Sequence, residues 1–222
     1  MPKWVKLIVA VGLLPLCLGA ASALQMVLQH SGDADTTWVP LLAGAGCWLV
    51  VYVFLPKPMW LYVFGHELTH ALWTLLFGGE VRDFKATARG GHVIITRNNF
   101  LIALAPYFFP LYALLVVAAF FVGRLIWNWD HYLVWFHLTL GAAYAFHVTL
   151  TFHTLKTHQT DITDQGYLFS GVVIFLGNAA VLLLGIALTV RKVGIWTALG
   201  WWGERTGQVF HVAGRWLNHW KH

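Results

Sequence analysis

Met59-Trp-Leu-Tyr-Val-Phe-Gly-His-Glu-Leu-Thr-His-Ala-Leu-Trp-Thr-Leu-Leu-Phe77 is the stretch from which the rest of the chain is read. Its two ends are apolar, yet its middle carries His66, Glu67, Thr69 and His70. Pro56-Lys57-Pro58 breaks any helix before it, and Gly78-Gly79 stops one after it. On a helix, residues four apart share a face, so His66 and His70 can grip one metal ion through imidazole nitrogens. Glu67 follows the first of them directly. In zinc hydrolases a Glu in that place takes a proton from the activated water and passes it to the leaving group. With 12 His and three Glu in 222 residues, His-Glu-x-x-His is expected by chance roughly 0.01 times. Glu67 is also the only acid inside an apolar segment, and a carboxylate in hydrocarbon is costly enough to be functional by default. The plainer reading is a polar cluster that ties helices together.

The surrounding sequence is short of polar surface. Of its residues 59% are hydrophobic and 10% charged, whereas a soluble domain carries about a quarter charged. Lipid is therefore the expected solvent. Apolar segments run roughly from Val5 to Leu28, Trp38 to Leu55, Met59 to Phe77, Phe100 to Val122, Tyr132 to Phe152 and Gly166 to Val190. The expected fold is an all-α polytopic membrane protein of about six transmembrane helices. Two β-prone runs around Gly90-Gly91 predict a membrane-associated hairpin over 80–97, and Pro106 and Pro110 predict a kink in the fourth segment. Residues 1–190 form the membrane-embedded domain in this reading. The tail, 191–222, mixes Trp196, Trp201, Trp202, Trp216 and Trp220 with Arg205, Arg215 and Lys221, the pattern of an interfacial amphipathic helix.

Charge and cysteines narrow the class further. The net charge of +5 sits between and after the apolar segments, which suits anionic lipid headgroups and not nucleic acid. Six spans place Lys3, Lys6, Lys57, Arg124, Arg191, Lys192, Arg205, Arg215 and Lys221 on one side, opposite Arg82, Lys85, Arg89, Arg97 and Lys156 together with Asp33, Asp35 and most other acids. The positive-inside rule then puts both termini in the cytoplasm, in a bacterial inner membrane. Ala20-Ala21-Ser22-Ala23 resembles a signal-peptidase site, but the apolar run continues past it, which favours an uncleaved span. Cys17 and Cys47 lie inside apolar runs and read as small buried hydrophobes. Oligomeric state is left open.

A zinc hydrolase needs a third protein ligand. Asp161 and Asp164, in Thr160-Asp161-Ile162-Thr163-Asp164-Gln165-Gly166, stand before the last span, on the same side as the end of the third segment. Either can reach the metal, and Asp161 is preferred. Acids at a helix N-terminus are also favourable without a metal, as solvated caps.

At these residues the chain resembles the site-2 protease family of intramembrane zinc metalloproteases. The likeness covers about Met59 to Asn178: His66-Glu67-Leu68-Thr69-His70, a glycine two turns on, a hairpin, the proline-containing Ala103-Leu104-Ala105-Pro106, and an Asp before a late helix. The family's Asn-Pro and Leu-Asp-Gly stretches are absent; Asp164-Gln165-Gly166 is a reduced version of the second. The resemblance implies that His66, His70 and Asp161 or Asp164 hold Zn2+, that Glu67 is the general base, and that the substrate is a transmembrane protein segment cut in or near the bilayer. Two competing readings are a non-enzymatic metal-binding membrane protein or transporter, and a membrane di-iron hydroxylase. The second draws on His131, His137, His147, His153 and His158, but their spacing lacks His-x-x-His-His boxes.

Overall fold

The helix α3 (Met59–Leu76) of the computed structural model begins after Pro58 and stops before Gly78. Gly78 takes φ 69°, a left-handed conformation that glycine adopts without steric cost. Gly78 N–H donates to the Leu75 carbonyl at 2.9 Å and Gly79 N–H to the Thr74 carbonyl at 2.9 Å, which satisfies the last turn. The structure describes residues 1–222 except Asp33, Arg191 and 220–222, with backbone alone for 216–219. Asp33, Arg191, Trp220, Lys221 and the Trp216 side chain, each used in the sequence reading, therefore lie outside the described residues.

Two compact units divide the chain: Met1–Ala34 with Ile162–His222, and Asp35–Asp161. The second contains α3. Its other elements are α2 (Asp35–Phe54), a hairpin of β1 (Val81–Thr87) and β2 (Gly90–Ile95), α4 (Phe100–Leu104), a 3-10 turn (Ala105–Tyr107), α5 (Leu111–Trp127) and α6 (Leu133–Thr154). α2 and α6 pack backbone to backbone. A side chain at Gly44 would strike the Leu138 carbonyl, and one at Gly141 would strike that of Leu41. Close approach through small residues is how helices pack where apolar surroundings supply no hydrophobic drive. Tyr62 of α3 joins Phe146 and Leu150 of α6 in a buried cluster, flanked by Trp48 and Tyr112. The Trp48 indole donates to Thr149 Oγ1 at 2.8 Å, and the Tyr112 hydroxyl to the Leu61 carbonyl at 2.6 Å. This cluster is the floor on which the polar face of α3 stands.

The hairpin is antiparallel, with Thr87 opposite Gly90 and Ala86 opposite Gly91. Its turn is Ala88-Arg89, not the expected Gly90-Gly91, which lies inside β2. Thr87 explains the shift: its hydroxyl donates to the Gly90 carbonyl at 2.6 Å and accepts from Arg89 N–H at 3.3 Å, closing the turn before the glycines.

The other unit consists of α1 (Lys3–His30), α8 (Tyr167–Val190) and α9 (Ile195–His219), with α1 packed on both partners. Ala23, Val27, Leu183, Ala187, Val193 and Ala198 make its core. The expected tail helix is present as α9, whose Trp202 indole donates to the Leu16 carbonyl of α1 at 3.0 Å.

Among the described residues four helical stretches are long and apolar enough to cross a membrane: Lys3–His30, Asp35–Phe54, Trp129–Thr154 and Tyr167–Val190. A fifth arises if α4 and α5, bent by 79° at Phe108 to Pro110, are one span. The expected six are not all met, because α3 carries His66, Glu67, Thr69, His70 and Thr74 and so falls short in hydropathy. The expected kink is a full break, as two prolines remove two N–H donors.

Gly141→Val is expected to cost about 1–3 kcal/mol of stability by overpacking the α2–α6 contact. Gly46→Ala, on α2 with open space around it, should not lower the thermal unfolding midpoint.

Candidate metal centre

One turn of α3 sets His66 and His70 side by side, their ring centroids 4.9 Å apart. Both Nε2 atoms face the same carboxylate oxygen: His66 Nε2 and His70 Nε2 each lie 3.5 Å from Asp161 Oδ2. Asp161 reaches them from the first turn of α7 (Thr160–Gln165). Among the described residues these three form the one group of ligand atoms, all within 4.8 Å of one another, that could hold a metal ion. Two imidazoles and a carboxylate suit zinc. Asp164 does not join them; it belongs to the other unit, where its main-chain carbonyl accepts from Lys6 Nζ at 2.9 Å.

The site is framed by groups that a search for side-chain ligands misses. His70 Nδ1–H donates to the Ile102 carbonyl at 2.8 Å, which leaves Nε2 with its lone pair toward Asp161. That carbonyl is available for a covalent reason. In a continued helix it would accept from the residue four positions on, and that residue is Pro106, which has no N–H. On the carboxylate side, the buried Tyr107 donates its hydroxyl to Asp161 Oδ2 at 3.2 Å. Burial alone favours a neutral Asp161, but the two imidazoles beside it outweigh this and hold the carboxyl well below the usual carboxylate range.

Glu67 stands outside the ligand group. The hairpin covers it: a side chain at Gly91 would collide with Glu67 Cγ and Val63 Cγ1. Phe84 of β1 meets Phe64 of α3 edge to face, 5.6 Å between centroids, so the Phe84–Val93 face of the hairpin lies on α3. Asp83 and His92 sit on its other face, exposed and paired at 3.0 Å. The hydrogen bond from His92 holds the Asp83 carboxyl below its ordinary value.

Of the five histidines around α6, His147 is buried and lines a small cavity together with His66. His131 packs against Tyr132 with the rings tilted, and among the described residues none of the five joins the metal-binding group. The sequence reading missed Tyr107, the Ile102 carbonyl and the particular place of His147. The available signal for the first two was Pro106, in the segment already singled out.

Compared with family models, with characterised proteins and with solved structures, the chain matches none.

Two outcomes follow. His66→Ala, His70→Ala or Asp161→Asn should each weaken zinc binding more than the roughly 10–100-fold typical of a lost supporting hydrogen bond, while Asp164→Asn should leave it unchanged in a chelator competition titration. Pro106→Ala restores an N–H that competes for the Ile102 carbonyl, and should weaken zinc binding about 10–100-fold although it removes no ligand atom.

Proposed function

We propose that this chain is an intramembrane zinc metalloendopeptidase that hydrolyses peptide bonds of membrane-embedded or membrane-proximal protein segments. The observation that carries the reading is the meeting of His66 Nε2 and His70 Nε2 on Asp161 Oδ2, with Glu67 adjacent in sequence but outside the group. A structural polar cluster has no need for three ligand atoms converging from two elements far apart in sequence. Nor does it need a separate carbonyl to set the tautomer of His70.

The outer surface supports a bilayer setting. Trp4, Leu7, Ile8 and Val11 of α1, and Leu42, Val50, Val53 and Phe54 of α2, are all exposed. Such continuous apolar exposure suits lipid and is poorly compatible with water. The Lys and Arg distribution favours cytoplasmic termini in a bacterial inner membrane.

Zinc held by these residues would supply Lewis acidity to the scissile carbonyl and to the attacking water. Glu67 then has a defined task. Its carboxylate takes a proton from the water as the oxygen–carbon bond forms, and delivers it to the amide nitrogen as the carbon–nitrogen bond breaks. Tyr107 and the Ile102 carbonyl keep Asp161 and His70 in place during this exchange. The peptide bonds of a helical substrate are hydrogen-bonded and must be unwound first. Among the described residues the hairpin has two strands, so each keeps one free edge, and an extended substrate segment can pair there by β-augmentation close to Glu67.

The deciding experiment follows a synthetic single-span peptide in liposomes that contain the full chain. Glu67→Gln is expected to keep its zinc and to lose about 10²–10⁴-fold in cleavage rate. Cleavage at the wild-type rate would reject Glu67 as base. Absence of cleavage by the zinc-loaded wild type on a panel of such peptides would favour the non-enzymatic metal-binding reading.

A further inference from the structure

The two histidines of α3 are supported unequally. His70 Nδ1 has the Ile102 carbonyl at 2.8 Å, whereas His66 Nδ1 is buried with no hydrogen-bond partner among the protein groups. With Nε2 holding zinc, the neutral His66 ring would carry its proton on Nδ1, and a buried N–H demands an acceptor. Beside this ring lies a cavity of about 20 Å³ lined by His66, Thr69, Tyr112 and His147, among others. A water needs about 10–15 Å³ and two to four polar partners, so the cavity suits one water.

The lining fixes which group can complete the arrangement. The Thr69 hydroxyl spends its proton on the Gly65 carbonyl at 2.7 Å, and the Tyr112 hydroxyl spends its own on the Leu61 carbonyl at 2.6 Å. Both oxygens can then only accept. His147, 7% exposed on α6, brings an imidazole to the same cavity, where Phe109, Leu111 and Phe146 supply apolar walls.

We propose that His147 is a positioning residue for His66, acting through a single water that accepts from His66 Nδ1–H and donates to the His147 ring. The second proton of that water goes to the Thr69 or Tyr112 oxygen. The water would thus do for His66 what the Ile102 carbonyl does for His70. An apolar residue at 147 leaves the cavity too poor in partners to keep a water. The role deepens the zinc-site reading and rests on it.

The test is zinc binding by the purified full chain, with zinc alone as the probe. His147→Leu is expected to raise the Kd about 10–100-fold. His147→Gln, whose amide oxygen can accept from the same water, is expected to return the Kd to within a few-fold of wild type. A purely structural role would move both variants alike, and that result overturns the proposal, as does an unchanged Kd for His147→Leu. Should the leucine variant not fold, His147→Asn, too short to reach the water, takes its place against the glutamine. Zinc X-ray absorption on the wild type gives an independent reading. Two imidazoles are expected around the ion, and three would make His147 a ligand and overturn the positioning role. A wild-type chain that binds no zinc overturns the metal reading itself, an outcome distinct from zinc bound equally tightly with and without His147.

Discussion

A single carboxylate oxygen facing two imidazole nitrogens is the constraint around which the second unit is arranged. The pair on α3 comes from helix geometry alone, since a four-residue step repeats the direction of a side chain. The acid comes from almost a hundred residues further on and must be carried to that face. Tyr107 holds the acid, the Ile102 carbonyl holds one imidazole, and the Tyr62–Phe146–Leu150 cluster supports the helix beneath. Each support is buried, and buried polar contacts are strong only when every member is satisfied. This gives weight to the unsupported His66 Nδ1.

The packing around the site shows two regimes. α2 and α6 meet through Gly44 and Gly141, with main chain against main chain and broad apolar surface left facing outward. α3 differs: Thr69, His70 and Thr74 are buried on it, and His70 donates to the Ile102 carbonyl of a neighbouring element while Thr69 bonds Gly65 of its own helix. An apolar frame of this kind excludes water except where polar groups admit it, and so strengthens every electrostatic contact within.

The sequence revealed what depends on local period and composition. The His66–His70 pair, the helix stop at Gly78 and most of the apolar segments follow from rules that act over a few residues. The choice between Asp161 and Asp164 did not, because residues three apart on a helix are neighbours on one face and only tertiary placement says which of them reaches the α3 imidazoles. The broken fourth segment was visible as prolines, but its 79° bend was not, since proline removes a bond without fixing the new direction. The hairpin turn moved because a threonine hydroxyl captured it, a contact that glycine-based turn rules do not weigh. The Ile102 carbonyl was the least legible feature, since every residue has a carbonyl and only Pro106, four positions on, marks this one as free.

The pyrrolidine ring of Pro106 supplies no ligand atom, yet it governs where a proton resides on an imidazole in another helix. Chains sorted by their donor sets alone would place sequences that lock this imidazole beside sequences that leave it free to rotate. The useful signature is then a pairing of unlike kinds: a ring nitrogen in one segment, and in another an imino acid four positions beyond the oxygen it releases.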